Sequence, residues 1–147
     1  MMDRGELKVR PIIGMEIHVQ LATRTKMFCS CAVEYGEEPN SHVCPVCLGM
    51  PGVLPVMNRL ALEYGIRTAV ALHCEIARFS KWDRKSYYYP DLPKNYQISQ
   101  YDLPISFDGA FDVPTGRSGE LRRVRIRRAH LEEDAGKNIH DHPSWTL

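Results

Sequence analysis

Four closely spaced cysteines constrain the fold of this chain more than any other feature. The stretch FCSCAVEYGEEPNSHVCPVCLGMPG, residues 28–52, places them as C-x-C, then twelve residues, then C-x-x-C; they are Cys29, Cys31, Cys44 and Cys47. This spacing is compatible with two disulfides, with a redox pair or with one metal site.

The expected compartment helps to choose between these possibilities. The N-terminal stretch MMDRGELKVR lacks the apolar run of a secretory signal, so we expect a cytoplasmic protein. Thiols stay reduced in the cytosol, and paired cysteines there are more often metal ligands or redox groups than disulfides. Zn²⁺ is typically held by about four such ligands in a tetrahedron, at about 2.3 Å. The sequence therefore predicts one structural zinc in this loop, with no open position for a substrate.

Alternatives to a four-cysteine zinc site stay open. The thiols could be disulfide-bonded or unliganded, and His42 could replace one cysteine, since Cys₃His zinc sites exist. Pro45 lies within the second cysteine pair and Gly49 follows it, and both favour the tight turn that would direct the two thiolates inward. Cys74 stands alone after an apolar helical stretch, and we expect it to be a small buried hydrophobe.

Composition indicates a soluble globular domain. Of the 147 residues, 44% are hydrophobic and 25% are charged, and the formal net charge of +1 argues neither for nor against a nucleic-acid partner. No stretch approaches the roughly 18 apolar residues that a membrane span needs. We therefore expect no membrane partner.

Two segments near the N-terminus have clear periodicity. Residues 11–21, PIIGMEIHVQL, alternate between apolar and polar side chains and predict a strand with Glu16 and His18 on its polar face. Asn58 is a suitable cap for a helix over about 59–74. The apolar face of that helix would hold Leu62, Ile66, Ala69, Val70 and His73.

The rest of the chain predicts strands and turns. Tyr87 and Tyr89 share a strand face with Lys85 before prolines interrupt the pattern, and FDGAFDVPTGRSGE, residues 107–120, predicts a hairpin or a loop. Residues 121–136 alternate again, with one face formed by Val124, Ile126, Arg128, His130 and Glu132. These segments predict an α+β fold with a mostly antiparallel sheet and flanking helices.

Two acid–imidazole pairs lie on the predicted strands. Residues i and i+2 of a strand are about 6.6–7 Å apart on one face, so Glu16 with His18 and His130 with Glu132 form two similar pairs. If the two strands are neighbours, the four groups converge on one polar patch beside Glu133.

Such a patch suits a hard cation with a nucleotide. Mg²⁺ prefers oxygen ligands and keeps waters and phosphates as its other ligands, and Lys85 and Arg128 could bind the phosphate oxygens. Each of these features alone is more often a solvated strand face or a charged turn. The sequence contains neither a P-loop nor a G-x-G-x-x-G motif, so a nucleotide site would be of another kind.

Four motifs together resemble one family over roughly residues 10–140. They are IGMEIHVQL, YGEEPNSHVCPVCLGMPGVLPVMN, DRKSYYYPDLPKNYQISQYDLPI and RAHLEEDAGK. In this order and at these spacings they are similar to the B subunits of the aspartyl/glutamyl-tRNA amidotransferases.

The resemblance implies an ATP-dependent reaction on misacylated tRNA. The B subunit would phosphorylate the side-chain carboxylate of tRNA-bound glutamate or aspartate, and ammonia made from glutamine by the A subunit would displace the phosphate. The A and C subunits would complete a heterotrimer. The implied fold is that of glutamine synthetase and the guanido kinases, and the implied cofactors are ATP, Mg²⁺ and a structural Zn²⁺.

The resemblance also assigns site residues by motif. Glu16, His18 and Glu133 are the expected magnesium ligands and phosphate-facing groups, and Glu132 and His130 support them. Lys85, from the DRK run, is the expected phosphate contact. The cysteines match a zinc-binding variant of the family, since other members lack them.

Length is the main departure from the family. Its members have several hundred residues, so the resemblance implies that residues 1–147 are the N-terminal part of the catalytic domain, with the zinc loop inserted at 28–50. The cradle would be incomplete, and the C-terminal helical and tRNA-binding tail domains would be absent. We expect such a fragment not to complete the reaction alone.

A zinc-ribbon module that binds nucleic acid is the rival hypothesis. It would place the cysteine loop and the arginines of residues 122–128 against phosphates. It leaves Glu16, His18 and the acidic EED run unexplained, because these groups would repel a nucleic-acid backbone.

Overall fold

The computed structural model describes residues 9–116 and 119–137. Within these ranges the helices are α1 (Pro45–Leu48) and α2 (Arg59–Ala71), and the strands are β1 (Glu75–Ile76), β2 (Asp83–Ser86), β3 (Tyr96–Ser99), β4 (Ser106–Thr115) and β5 (Glu120–Ala129). All the pairs between these strands are antiparallel. The mixed α/β composition and the antiparallel pairing are therefore confirmed.

The strands of the described part form two sheets. One contains β1, β4 and β5 in that spatial order, and the other pairs β2 with β3. The longest pairing is the β4–β5 hairpin, which runs from Ser106 opposite Ala129 to Thr115 opposite Glu120. Of the two possibilities that the sequence left for residues 107–120, the hairpin is correct.

Helix α2 begins where the sequence predicts. Asn58 Oδ1 accepts hydrogen bonds from the backbone N–H groups of Leu60 at 2.9 Å and Ala61 at 3.4 Å, which is the geometry of an N-cap. The helix ends at Ala71, earlier than the predicted residue 74. His73 has a φ of 53°, and this left-handed conformation cannot continue a right-handed helix. No helix of the described ranges is long and apolar enough to cross a membrane.

Small residues bring α2 close to its neighbours. Ala61, Gly65 and Ala69 are its buried residues. A Cβ atom at Gly65 would lie 2.9 Å from both Ile105 Cδ1 and Leu131 Cδ2, so a larger residue would require these side chains to shift. The core therefore sits where α2 meets these two side chains.

The predicted apolar face of α2 is partly wrong. Ala69 is fully buried, but Val70 is 58% exposed and His73 is also exposed. The reason is that the helix packs through its line of small residues at i, i+4 spacing. That line is displaced from the larger apolar residues that sequence periodicity highlights.

The predicted strand over residues 11–21 is wrong, since the structure has no strand there. A strand needs a neighbour for its backbone N–H and C=O groups, and none of the described strands pairs with this segment. Five of its apolar side chains are 74% to 91% exposed; they are Ile12, Ile13, Met15, Ile17 and Val19.

The second predicted strand, over residues 121–136, has the predicted alternation but ends earlier than predicted. Within β5, Val124 and Ile126 are less exposed than the arginines beside them. The strand ends at Ala129, because its pairing with β4 ends there. Beyond that point the chain turns to β3, where the Glu133 N–H donates to the Ile98 carbonyl at 2.8 Å.

Hydrogen bonds at Asn58 close the base of the cysteine loop. Its side-chain Nδ2 donates to Thr25 Oγ1 at 2.9 Å and to the Thr25 carbonyl at 3.2 Å. Its backbone N–H donates to the Met27 carbonyl at 2.7 Å, and the Val56 N–H donates to the Phe28 carbonyl at 3.1 Å. The same asparagine thus caps α2 and joins the two ends of the loop.

Candidate functional site

The four predicted metal ligands converge in the structure. Their sulfur atoms all lie within 4.8 Å of one another. Cys47 Sγ is 3.6 Å from Cys29 Sγ, 3.7 Å from Cys44 Sγ and 4.0 Å from Cys31 Sγ. A tetrahedron with metal–sulfur bonds of about 2.3 Å has edges of about 3.8 Å. The cluster therefore fits a single tetrahedral metal ion.

Local structure explains why these cysteines meet. Cys44 is the N-cap of α1 and Cys47 lies within it, so one helical turn places the two thiols side by side. Pro45 occupies the start of the helix, and Gly49 ends it with a φ of 64°, as the tight turn requires. An isolated antiparallel bridge across Thr25–Ala32 folds the first cysteine pair back toward the second.

Two of the alternatives to a four-cysteine site do not match the geometry. All five cysteines are free, and the sulfur separations within the cluster exceed the disulfide bond length of about 2.05 Å. His42 lies outside the cluster, with Nε2 3.6 Å from Glu34 Oε2. Cys74 is only 9% exposed, which confirms its expected burial.

The thiols of the cluster differ in acidity. Burial raises the pKa of the Cys29 thiol to about 12. Burial also acts on Cys44, but hydrogen bonds led by the backbone N–H of Cys47 lower the pKa of that thiol to about 7. Lys26 Nζ adds positive charge 3.5 Å from Cys47 Sγ. Cys44 therefore ionises more readily than Cys29, where a metal ion has to displace a firmly held proton.

Glu132 is the centre of a second cluster. Its Oε2 accepts a hydrogen bond from Ser99 Oγ at 2.7 Å and lies 3.7 Å from Lys85 Nζ and 3.9 Å from His130 Nε2. The structure thus brings together three predicted site residues. Ser99, which is 6% exposed, is an addition that sequence reasoning missed, because a serine in a strand carries no distinguishing pattern.

Glu16 and His18 lie close together on the segment that forms no strand. Glu16 Oε1 is 3.7 Å from His18 Nε2, and about three quarters of each side chain is exposed. Together with His130 and Glu132 they line one open groove. The two acid–imidazole pairs therefore line the same broad groove, but no strand pairing joins them, and their predicted convergence on one polar patch stays a prediction.

The charge of Glu16 affects the pKa values of His130 and Lys85. Burial lowers the pKa of the His130 imidazole, and the Arg128 charge lowers it further, while Glu132 and Glu16 act in the opposite direction. The pKa of Lys85 is raised, first by its hydrogen bond with Tyr87 and then by the charges of Glu132 and Glu16. The carboxylate of Glu16 thus contributes to the potential at the second cluster.

Arg128 lines the same groove, but its guanidinium is already engaged. Nη1 donates to the Tyr101 carbonyl at 2.9 Å, and Cζ lies 4.9 Å from the centre of the Tyr101 ring. Its predicted contact with phosphate stays a prediction.

Glu133 is held by a residue that sequence reasoning also missed. Its carboxylate is bound by Lys94 and by the backbone N–H of Ile98. The lysine lies 39 positions earlier in the chain, within the run DLPKNYQ, and nothing in that run indicates its partner. The groove thus contains carboxylates and imidazoles, with lysines at the adjoining clusters. In the part of the chain that the structure describes, however, the four cysteines are the one group of potential ligands close enough together to hold a metal ion, so the structure does not bring Glu16, His18 and Glu133 together as a magnesium site.

Comparison with known proteins places this chain in a family. The family profile described as GatB/GatE catalytic domain matches residues 11–147. The B subunit of the aspartyl/glutamyl-tRNA(Asn/Gln) amidotransferase of Carboxydothermus hydrogenoformans is 58% identical over 129 residues, which are 88% of this chain and 26% of the relative.

Two further relatives carry the same name. The protein of Rhodopirellula baltica is 59% identical over 136 residues, 92% of this chain and 27% of its own length. That of Thermodesulfovibrio yellowstonii is 56% identical over 141 residues, 96% of this chain and 29% of its own length. This chain thus spans between a quarter and a third of the length of these relatives. Because the family profile covers nearly all of it, the chain belongs to the GatB/GatE catalytic domain family.

Proposed function

We propose that this chain is part of the B subunit of an aspartyl/glutamyl-tRNA(Asn/Gln) amidotransferase, in the domain that activates the misacylated tRNA with ATP. The observation that carries the proposal is the identity of 56–59% to proteins of that name over at least 88% of the chain. The shared groove of Glu16, His130 and Glu132 supports it, because phosphoryl transfer needs such charged groups.

The chemistry explains why ATP is needed. A carboxylate is a poor electrophile, and its oxygen is a poor leaving group. Transfer of the γ-phosphoryl group of ATP to the side-chain carboxylate of tRNA-bound glutamate or aspartate gives an acyl phosphate and ADP. Ammonia then attacks the acyl carbon, the carbon–oxygen bond breaks, and inorganic phosphate leaves. The protein mainly supplies positioning and charge neutralisation.

The proposed roles follow the predicted site. Glu16, His18 and Glu133 would hold Mg²⁺, which neutralises phosphate charge when bound, and Glu132 and His130 would support them. Lys85 and Arg128 would bind phosphate oxygens. Lys85 is suited to this role because 51% of its side chain is exposed, so its ammonium can reach a ligand.

The cysteine cluster would hold a structural zinc ion. Thiolates suit this metal, and its four ligands leave no coordination position for a substrate. Zinc would therefore stabilise the loop of residues 28–50 without entering the reaction.

The proposal extends to fold, partners and compartment. Residues 1–147 would be the N-terminal part of a cradle like that of glutamine synthetase and the guanido kinases, and the antiparallel sheets are compatible with this. The partners would be the A and C subunits of the amidotransferase and a misacylated tRNA, and the compartment would be the cytoplasm.

Trapping of the acyl phosphate tests the function. The complex containing the full-length B subunit is incubated with misacylated tRNA, Mg·ATP and hydroxylamine, without glutamine or ammonia. Hydroxylamine displaces phosphate from an acyl phosphate and also cleaves the aminoacyl ester to tRNA, so we expect a hydroxamate at the side-chain carboxyl group that depends on ATP. A complex that amidates tRNA but gives the same hydroxamate signal with and without ATP would contradict the proposal.

One observation keeps the nucleic-acid-binding hypothesis as a second candidate. Arg123, Arg125 and Arg127 are exposed on one face of β5, where they could contact phosphates. That hypothesis predicts tRNA binding without any dependence on Mg·ATP. It does not account for the carboxylates in the groove.

A further inference from the structure

Lys94 and Glu133 form an ion pair that is largely shielded from water. Lys94 Nζ lies 2.6 Å from Glu133 Oε1 and 2.8 Å from Oε2. Only 7% of the lysine side chain and 15% of the glutamate side chain are exposed. At this depth either charge alone would be strongly destabilising, so each group fixes the other.

The carboxylate has an acceptor position that no described contact uses. Oε2 accepts from Lys94 and from the Ile98 N–H at 3.1 Å, whereas Oε1 accepts from Lys94 alone among the described contacts. Each carboxylate oxygen has about two acceptor positions. One position on Oε1 therefore remains, in a carboxylate whose orientation is set from both sides.

The position of Lys94 depends in turn on the cysteine loop. A Cβ atom at Gly49 would lie 2.7 Å from Lys94 Cγ, so the side chain of the lysine passes directly over this glycine. Gly49 is the residue that ends α1, the helix that carries Cys47. The Tyr96 ring, 4.7 Å from Lys94 Nζ, supports the lysine beside it.

We propose that Lys94 is a positioning residue that couples the cysteine loop to the Glu133 carboxylate. The loop holds Gly49, Gly49 supports the stem of Lys94, and Lys94 orients Glu133 toward its remaining ligand. The inference rests on the proposed function only for that ligand, which is Mg·ATP. Partners that orient a metal-binding carboxylate typically contribute about 10- to 100-fold to affinity.

Two glycines of the chain provide a matched pair of variants. Gly49 has a φ of 64° and Gly52 a φ of 84°, so alanine is strained at both; only at Gly49 would the new Cβ meet Lys94, because nothing lies within 4 Å at Gly52. Gly49→Ala therefore tests the contact, and Gly52→Ala controls for the backbone strain. Lys94→Met removes the charge and keeps the stem.

The experiment uses the full-length B subunit in its complex. Mg·ATP affinity is measured by calorimetry at a temperature where circular dichroism shows each protein folded. We expect Lys94→Met to bind Mg·ATP about 10- to 100-fold more weakly, Gly49→Ala to weaken it in the same direction, and Gly52→Ala to match the wild type. A lysine that only stabilises the fold would lower the melting temperature without changing the affinity of the folded protein.

A second measurement separates this inference from the proposed function. Exchange of the Ile98 amide with deuterium reports its bond to Glu133 without any ligand, and we expect it to accelerate in Gly49→Ala and not in Gly52→Ala. Equal exchange in the two variants, or an unchanged Mg·ATP affinity in Lys94→Met, overturns the coupling. A wild-type complex that binds no Mg·ATP defeats the proposed function, and the exchange comparison then decides the coupling alone. If Lys94→Met does not fold, the glycine pair decides.

Discussion

The sulfur atoms of Cys29 and Cys47 lie 3.6 Å apart, although the two residues come from different turns of the loop. This separation is too long for a disulfide and close to the edge of a tetrahedral thiolate site, about 3.8 Å.

We expect one zinc ion per chain, held by the four cysteines. Cys44→Ser should reduce the zinc content after gel filtration to near zero and destabilise the loop, because in a structural site the binding energy of the metal is folding energy. Cys74→Ser changes a thiol outside the cluster and should retain the metal. Four titratable thiols in a protein that lacks zinc would contradict the prediction.

Glu16 and His18 should act on the ATP-dependent step. In the complex, Glu16→Gln or His18→Ala should abolish amidation of the tRNA, and added ammonium should not restore it, since activation precedes attack by ammonia. Glu63→Gln changes a carboxylate that pairs with Arg59 on α2 and should leave amidation unchanged. Recovery of amidation with ammonium would assign the two residues to ammonia delivery.

Lys85 should bind a nucleotide phosphate. Its Nζ lies 5.2 Å from the centre of the Tyr87 ring, so the alternative role is packing of its stem against that ring. Lys85→Met keeps the stem, and loss of a charged hydrogen bond worth about 1.5–3 kcal/mol should weaken ATP binding about 10- to 150-fold. We expect little change in thermal stability.

A second lysine provides the control for this substitution. Lys81 pairs with Asp83 and Asp102, at 3.0 Å from each, and not with Glu132. Lys81→Met should leave ATP affinity as in the wild type. Equal ATP affinity in the two variants would mean that Lys85 only packs against Tyr87.

His130 should make stability depend on pH. Burial and the Arg128 charge lower the pKa of its imidazole below 6.5 in the folded chain, against the opposing charges of Glu132 and Glu16. Between that lowered value and 6.5 the unfolded chain binds more protons, so this contribution to stability falls as the pH decreases. Urea unfolding from about pH 7.5 to about pH 5.5 should show a steeper loss for the wild type than for His130→Asn. Parallel curves would contradict this.

The cap of α2 gives a prediction about stability alone. Asn58→Ala removes the acceptor for Leu60 and Ala61, which should cost about 0.5–2 kcal/mol, and it also removes the bonds to Thr25. Thr25→Ala removes one of those bonds and leaves the cap, so we expect a smaller loss of unfolding free energy. Amide exchange at Leu60 should accelerate only in Asn58→Ala. Similar losses in both variants would mean that the cap contributes little.

Local signals made part of this structure predictable. The cap at Asn58 and the alternation of Val124 and Ile126 follow from neighbours within a few residues, where propensity and periodicity apply. The convergence of the cysteines also follows from short spacing, because one turn of α1 separates Cys44 from Cys47. The structure confirms these three predictions.

The remaining features depend on partners distant in sequence. Ser99 and Glu132 are 33 positions apart, and Lys94 and Glu133 are 39 apart, so periodicity cannot show either contact. The error over residues 11–21 has the same origin, since alternation indicates a strand but says nothing about its neighbour. Which face of α2 is buried was likewise decided by a partner, through the close approach at Gly65.

The closure at Asn58 has a consequence for the evolution of this domain. Asn58 bonds to Thr25 at the base of the loop, and the entropy of closing a loop depends only weakly on its length, so we expect the two ends to stay joined when the length or the residues of the tip change. A lineage can therefore exchange the thiols for other residues while α2 keeps its start. Under the coupling proposed for Lys94, such a lineage would need another support for this lysine, so we expect replacements near Gly49 to accompany the loss of the thiols.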